Sequence, residues 1–163
     1  MCVKQPKMNN RMSALLQRAG LRWPLVARVT PEQLPALDIF EDCVLLKNHW
    51  APNNQHVKIA DCFDKTGFEC FINHVHLPFD GRNEPLISCL EYAATLQEAL
   101  MPLATDRQFR VIVSLSEDDD CTVRFHQIRI GEHSMSEDLE GFKSEAILVF
   151  DVPSSRQPLS LAT

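Results

Sequence analysis

Near the C-terminal end, apolar and polar residues alternate with period two along successive runs, and this alternation predicts strands. Phe109, Val111, Val113 and Leu115 fall on one side, with Arg110 and Ser114 on the other. Beyond an acidic link, Cys121, Val123 and Phe125 repeat the pattern against Thr122, Arg124 and His126. A short polar link between two such runs reads as a hairpin. The apolar phase then slips to Ile128 and Ile130, and a bulge near His126 is the expected cause. The third run, Ala146 to Val152, is apolar almost throughout and reads as a central strand buried on both faces.

Elsewhere both periods occur. Met8, Met12, Leu15, Leu16 and Ala19 have helical spacing, and Gly20 supplies a stop. Leu25 to Val29 is a strand candidate. Pro31 opens a helical turn through Leu37 with Thr30 as N-cap. Cys43 to Lys47 reads as a strand, and Asn48 to Gln55, with Pro52 and two adjacent Asn, as a loop. His56 to Leu77 reads as a second hairpin turning at Asp64 to Gly67, its return arm setting Cys70, Ile72, His74 and His76 on one face. Pro78 to Pro85 is a loop. Leu86, Leu90, Ala93, Leu96 (or Ala94), Leu100 and Leu103 then stripe a long amphipathic helix that Pro102 ends. This order predicts an α+β fold. Its largely antiparallel central sheet has about five to six strands, with the long helix on one face and a shorter N-terminal helix. The other sheet face is left open to a partner. One domain spans residues 1–163, with 1–7 and 154–163 as loose tails.

Charge changes the picture at one place. Between Ser116 and Glu145, nine acids against three bases leave −6, the formal charge of the whole chain. A chain so charged is a poor nucleic-acid binder, and its basic N-terminal helix is too small a patch to reverse this. The first 30 residues carry six Lys or Arg and no acid, but without a signal-type apolar core a plain cytosolic start is expected. No apolar run approaches membrane-spanning length. The six cysteines are irregularly spaced, which favours free thiols in a reducing cytoplasm.

Candidate chemistry is sparse. Cys62, Cys70, His74 and His76 form a possible zinc set across the second hairpin, though structural zinc sites usually use tighter pairs. A Cys–His nucleophile (Cys121 or Cys70 with His126 or His74) lacks any motif context. No phosphate-binding glycine loop is present, and five Gly in all leave no cofactor cradle, so no cofactor is expected. Asp118, Asp119 and Asp120 are consecutive and cannot all converge on one ion. An enzyme is the weaker class.

Four motifs follow one another in this region: Arg124-Phe125-His126 with Arg129, Gly131-Glu132, Glu137-Asp138-Leu139-Glu140 with Phe142, and Glu145-Ala146-Ile147-Leu148. In these the last third of the chain resembles bacterial immunity proteins of contact-dependent growth inhibition and related polymorphic toxin systems, with a weaker echo in the long helix. His133-Ser134-Met135 stands where an aromatic residue would follow the glutamate turn. The resemblance implies a cytoplasmic, non-enzymatic inhibitor that occludes the active or substrate-binding site of a cognate toxin C-terminal domain, often a nuclease. Nucleases present basic clefts, and an acidic surface complements them. The expected contacts are Glu117, Asp118, Asp119, Asp120, Glu132, Glu137, Asp138 and Glu140, with His126 and Arg129 as neighbouring specificity contacts. A small zinc- or thiol-dependent enzyme and a general protein-interaction subunit are the alternatives.

Overall fold

The alternating runs do form the sheet, and its pairing fixes which side chains share a face. The computed structural model describes residues 5–24, 29–78 and 84–154. Their elements are β1 (Lys7–Met8), α1 (Asn10–Ala19), β2 (Leu37–Phe40), β3 (Cys43–Leu46), α2 (Lys47–Asn53), α3 (Lys65–Ile72), β4 (His74–Leu77), α4 (Pro85–Leu100), β5 (Phe109–Ser116), β6 (Cys121–Gln127) and β7 (Glu145–Val152). Five strands make an antiparallel sheet in the order β1-β7-β5-β6-β4, and β2 and β3 form a separate pair. The fold is α+β.

β5 is the middle strand. Phe109, Val111, Val113 and Leu115 share one face with Val123 and Phe125 of β6 and Leu148 and Phe150 of β7. α4 lays Leu86, Leu90, Ala93, Leu96 and Leu100 across that face, and a 3-10 turn over Met101–Leu103 containing Pro102 ends it. Burying a side chain of this size contributes about 1.5–3 kcal/mol, so this layer dominates stability. α1 joins the same core through Met12 and Leu16. The Asn9 carboxamide caps it by accepting from the Met12 amide at 3.0 Å, and it also accepts from the Ile147 amide at 3.0 Å and donates to the Glu145 carbonyl at 2.8 Å. One side chain thus ends a strand and starts a helix. Gly20, at φ 65°, takes the left-handed stop.

Several expectations are corrected. The β5–β6 register runs unbroken from Leu115 opposite Cys121 to Phe109 opposite Gln127. No bulge occurs there, and the phase slip marks the end of β6. Lys7 is not a frayed tail residue: it pairs with Val149 and its ammonium reaches Glu137 at 2.8 Å. Residues 48–55 are largely helical, because α2 tucks Trp50 into the interior. The second hairpin is replaced by a 3-10 turn at Ile59–Asp61, then α3, and only its last arm is a strand, β4. Gly67 lies inside α3 and donates its amide to the cap Asp64 at 2.7 Å. Cys89 and Cys121 are joined as a disulfide between α4 and the start of β6, with Cα atoms 6.0 Å apart. This corrects the expectation of free thiols throughout and removes the compartment argument drawn from it. The strand candidate at 25–29 and the C-terminal tail lie almost wholly outside the described residues.

The second sheet face is divided. Met135, Leu139 and Phe142, from the segment between β6 and β7, cover Ile112, Ile147 and Val149. Beyond that cover the face is polar, carrying Thr122, Arg124 and His126 of β6 and His74 and His76 of β4.

Candidate functional site

Polar chemistry converges where α3 meets β3 and the end of β6. α3 has two faces at four-residue spacing. Phe68 and Ile72 enter a cluster with Cys43, Leu45 and Trp50, while Glu69 and Asn73 are buried with no exposed surface. Glu69 accepts four hydrogen bonds: from the amides of Val44 (2.8 Å) and Gln127 (2.7 Å), and from Arg129 Nη1 (2.8 Å) and Nη2 (3.1 Å). Asn73 accepts from the Leu46 amide at 2.8 Å and donates to the carbonyls of Val44 at 2.9 Å and Phe125 at 3.3 Å. Two side chains thereby do for β3 what a neighbouring strand would do. Burial opposes the Arg129 charge, but the bonds and charge of Glu69 outweigh it and hold the guanidinium above its usual range.

Around this knot lie several expected contact residues, one of them buried and two partly buried. His126 is 4 % exposed. Its Nδ1 lies 2.9 Å from the Gln127 carbonyl and its Nε2 2.7 Å from the Ser134 hydroxyl. A carbonyl only accepts, so the neutral ring carries its proton on Nδ1 and accepts at Nε2. Arg129 is spent on Glu69, and its Nη2 also donates to the Asp42 carbonyl at 3.0 Å. Glu132 caps α3, accepting from the Thr66 amide at 3.1 Å and hydroxyl at 2.5 Å. His126 and Arg129, expected as specificity contacts, both make interior contacts: His126 is buried and Arg129 is partly buried against Glu69.

The remaining acids are exposed but unequal. Glu137 is held by Lys7 and by Arg110 at 3.3 Å, and the Lys7 bond lowers its carboxyl below the ordinary range. Asp138 caps the 3-10 turn at Leu139–Gly141, and Glu140 accepts from the Asn10 amide at 2.8 Å. Glu137 and Glu140 anchor the covering segment to the N-terminal elements, and Asp138 shapes it from within. In the β5–β6 turn, Glu117 pairs with Arg11 at 2.7 Å and Asp120 with His76 at 3.2 Å. Asp118 and Asp119 make no ion pair among the described residues, and Asp119 sits at φ 60°, a conformation Asp tolerates better than most residues.

The zinc set does not converge on one point. Cys70 lies on a helix, Cys62 follows a separate turn, and only His74 and His76 share a strand, their rings 4.7 Å apart. Among the described residues no three His, Cys, Asp or Glu are grouped to hold a metal ion. Burial pushes the thiols of Cys70 and Cys43 up to about 11, so both are protonated and weakly nucleophilic at neutral pH.

Burial also lowers His126 from its ordinary 6.5; the Gln127 carbonyl and Glu69 act against this, while Arg110 and Arg129 add to it. The unfolded chain therefore takes up this proton more readily than the folded one. Stability from the neutral ring is complete above the unfolded value and is lost as pH falls below it towards the depressed folded value. Urea unfolding at about pH 7.5 and about pH 5.5 checks this: acidification lowers the wild-type midpoint, and His126→Gln shrinks that drop. An equal drop in the variant would assign the acid sensitivity to other groups.

The fold and site define an α+β domain whose second face is partly covered by an acid-anchored segment and whose Glu69–Arg129 pair ties two sheets together. The chain belongs to the uncharacterized protein PM0498 family, whose model matches residues 7–159. Neither the curated proteins nor the solved structures contain a match to it. No described helix is long and apolar enough to cross a membrane.

Proposed function

We propose that the protein is an immunity protein, which binds a cognate bacterial toxin domain, a nuclease, and blocks its active or substrate-binding site. The β5–β6 turn is the observation that carries this reading. Glu117, Asp118, Asp119 and Asp120 are consecutive and exposed at the tip of the hairpin. The turn is braced by the Ser116 amide donating to the Asp120 carbonyl at 3.0 Å and by the Ser116 hydroxyl accepting from the Asp120 amide at 3.1 Å. A fixed cluster of carboxylates approaches a phosphate-binding cleft without ordering cost and speeds encounter. Glu137, Asp138 and Glu140 act in this reading by holding the covering segment, and Glu132 by holding α3.

No cofactor is needed for this task, and neither nucleic acid nor membrane is a direct partner. The cytoplasmic location belongs to the reading through the resemblance alone. Phe63 and Ile130 are 101 % and 99 % exposed, and both flank the joint between Glu132 and Thr66. They would anchor a toxin, but they would equally serve a general interaction subunit. Sizing chromatography of the protein alone separates the two.

The test uses Asp118→Lys with Asp119→Lys, since neither residue supports the fold through an ion pair. The ligand is the C-terminal domain of the toxin encoded immediately upstream, titrated calorimetrically at low and moderate salt. Wild-type binding weakens with salt, and the double variant loses about tenfold or more in affinity, mostly through slower association. Unchanged affinity in a folded variant would remove the acidic turn from the interface.

A further inference from the structure

We propose that the polar sheet face around Arg124 binds an oxyanion group, a phosphate or a carboxylate. This inference is independent of the toxin reading.

Among the described residues, Arg124 is the partly buried arginine without a carboxylate partner, although Arg107 and Arg129 also carry one unpartnered buried nitrogen each. Arg107 has Asp42 at 3.2 Å, Arg110 has Asp151 at 2.9 Å and Arg129 has Glu69 at 2.8 Å. Arg124 has no carboxylate and makes no side-chain hydrogen bond among the described residues, although its Nε is buried from solvent. A guanidinium cannot give up its charge, and a buried donor without an acceptor is costly. The remedy is an acceptor that carries negative charge.

The surroundings fit such a group. Arg124 lies opposite His74 of β4 in the strand register, with Thr122 and His76 the next pair along the same face. Cross-strand partners of this kind have Cβ atoms about 4.5–5.5 Å apart, so one small anion can touch both strands. The planar guanidinium fork matches two oxygens of a phosphate or carboxylate. The imidazoles of His74 and His76 and the Thr122 hydroxyl supply further donors on the same face. Asp120 is the carboxylate at this end of the face, and it is taken up by His76. Burial lowers His74, and the charges of His76 and Arg124 add to this while Asp120 acts against it.

The experiment follows the Nε–H resonance of Arg124 and the His74 ring signals by NMR while inorganic phosphate, and separately acetate, is titrated into the whole protein. Saturable shifts with phosphate alone identify a phosphate group as the ligand. Saturable shifts with both identify a carboxylate-type ligand, and either result supports the site. Arg124→Gln should weaken the saturable binding by about tenfold or more. No saturable shift in the wild type, or equal binding in the variant, overturns the proposal. Should Arg124→Gln fail to fold, Arg124→Lys keeps the charge but loses the fork. Its affinity should fall with its unfolding midpoint retained, and undiminished affinity there also overturns the site.

Discussion

Glu69→Ala is expected to destabilise the protein by about 3–5 kcal/mol, the cost of breaking a buried pair from one side. The reason lies in what the carboxylate satisfies. Removing it strands the Arg129 guanidinium, whose side chain is 12 % exposed, and leaves the amides of Val44 and Gln127 without their acceptor. Urea unfolding of the variant checks the magnitude, and a loss below about 1 kcal/mol would mean that water replaces the carboxylate at little cost. A second variant separates the two contributions. Buried ion pairs can often be exchanged for apolar residues with no loss, but Glu69→Leu with Arg129→Met should recover only the arginine part. The two backbone amides remain orphaned, because an apolar side chain accepts nothing. Glu69→Gln should not rescue either: all four approaches to the carboxylate are donors, and an amide nitrogen would face one of them.

The same residue explains where sequence reasoning stopped. Period-two alternation located β5 and β6, a nearly continuous apolar run located β7, and helical spacing located α1 and α4, because each puts one or both faces in the core. α3 was hidden. It has eight residues, includes Gly67, and places Cys70, Phe71 and Ile72 in a row that mimics a strand. Its signal was present in two interleaved i, i+4 pairs, Phe68 with Ile72 and Glu69 with Asn73, behind the N-cap Asp64. A carboxylate on a buried face contradicts simple apolar patterning, so Glu69 reads as surface until its partners, far along the chain, are known. Pro52 and its neighbouring Asn residues likewise concealed α2, a seven-residue helix with Pro52 inside it.

The acidic region was legible as composition and illegible as function. Nine acids in one stretch are visible in any sequence, but their division of labour depends on Arg11, Lys7, Asn10 and Thr66, which the fold brings from elsewhere. Asp118 and Asp119 keep their charge free because they sit at the tip of a hairpin. Glu132 and Arg129 spend theirs on Thr66 and Glu69, and His126 is buried, because all three lie where α3 docks. Sequence distance gave no means of separating the two groups.

Phe68→Ala is expected to cost about 3–5 kcal/mol, and the way in which the loss appears is as informative as its size. Phe68 has no exposed surface and meets Trp50 edge-on, with ring centroids 5.6 Å apart. Its cluster is small, so the cavity has few neighbours able to collapse into it. β3 decides whether that cluster can melt alone. Its four residues are all buried: Cys43 and Leu45 point into the Phe68 cluster, whereas Val44 and Leu46 point into the main core. One strand thus feeds both cores, and Glu69 and Asn73 tie it to β6. The two tryptophans report the outcome, since Trp50 belongs to the smaller cluster and Trp23 stacks on Phe150 of the main core at 4.7 Å. In Phe68→Ala, single-tryptophan versions should unfold at one common urea midpoint, lowered by on the order of 2 M. Loss of the Trp50 signal at low urea, with the Trp23 midpoint unmoved, would show that β3 does not couple the cores and that the α3 region is an independent unit of unfolding.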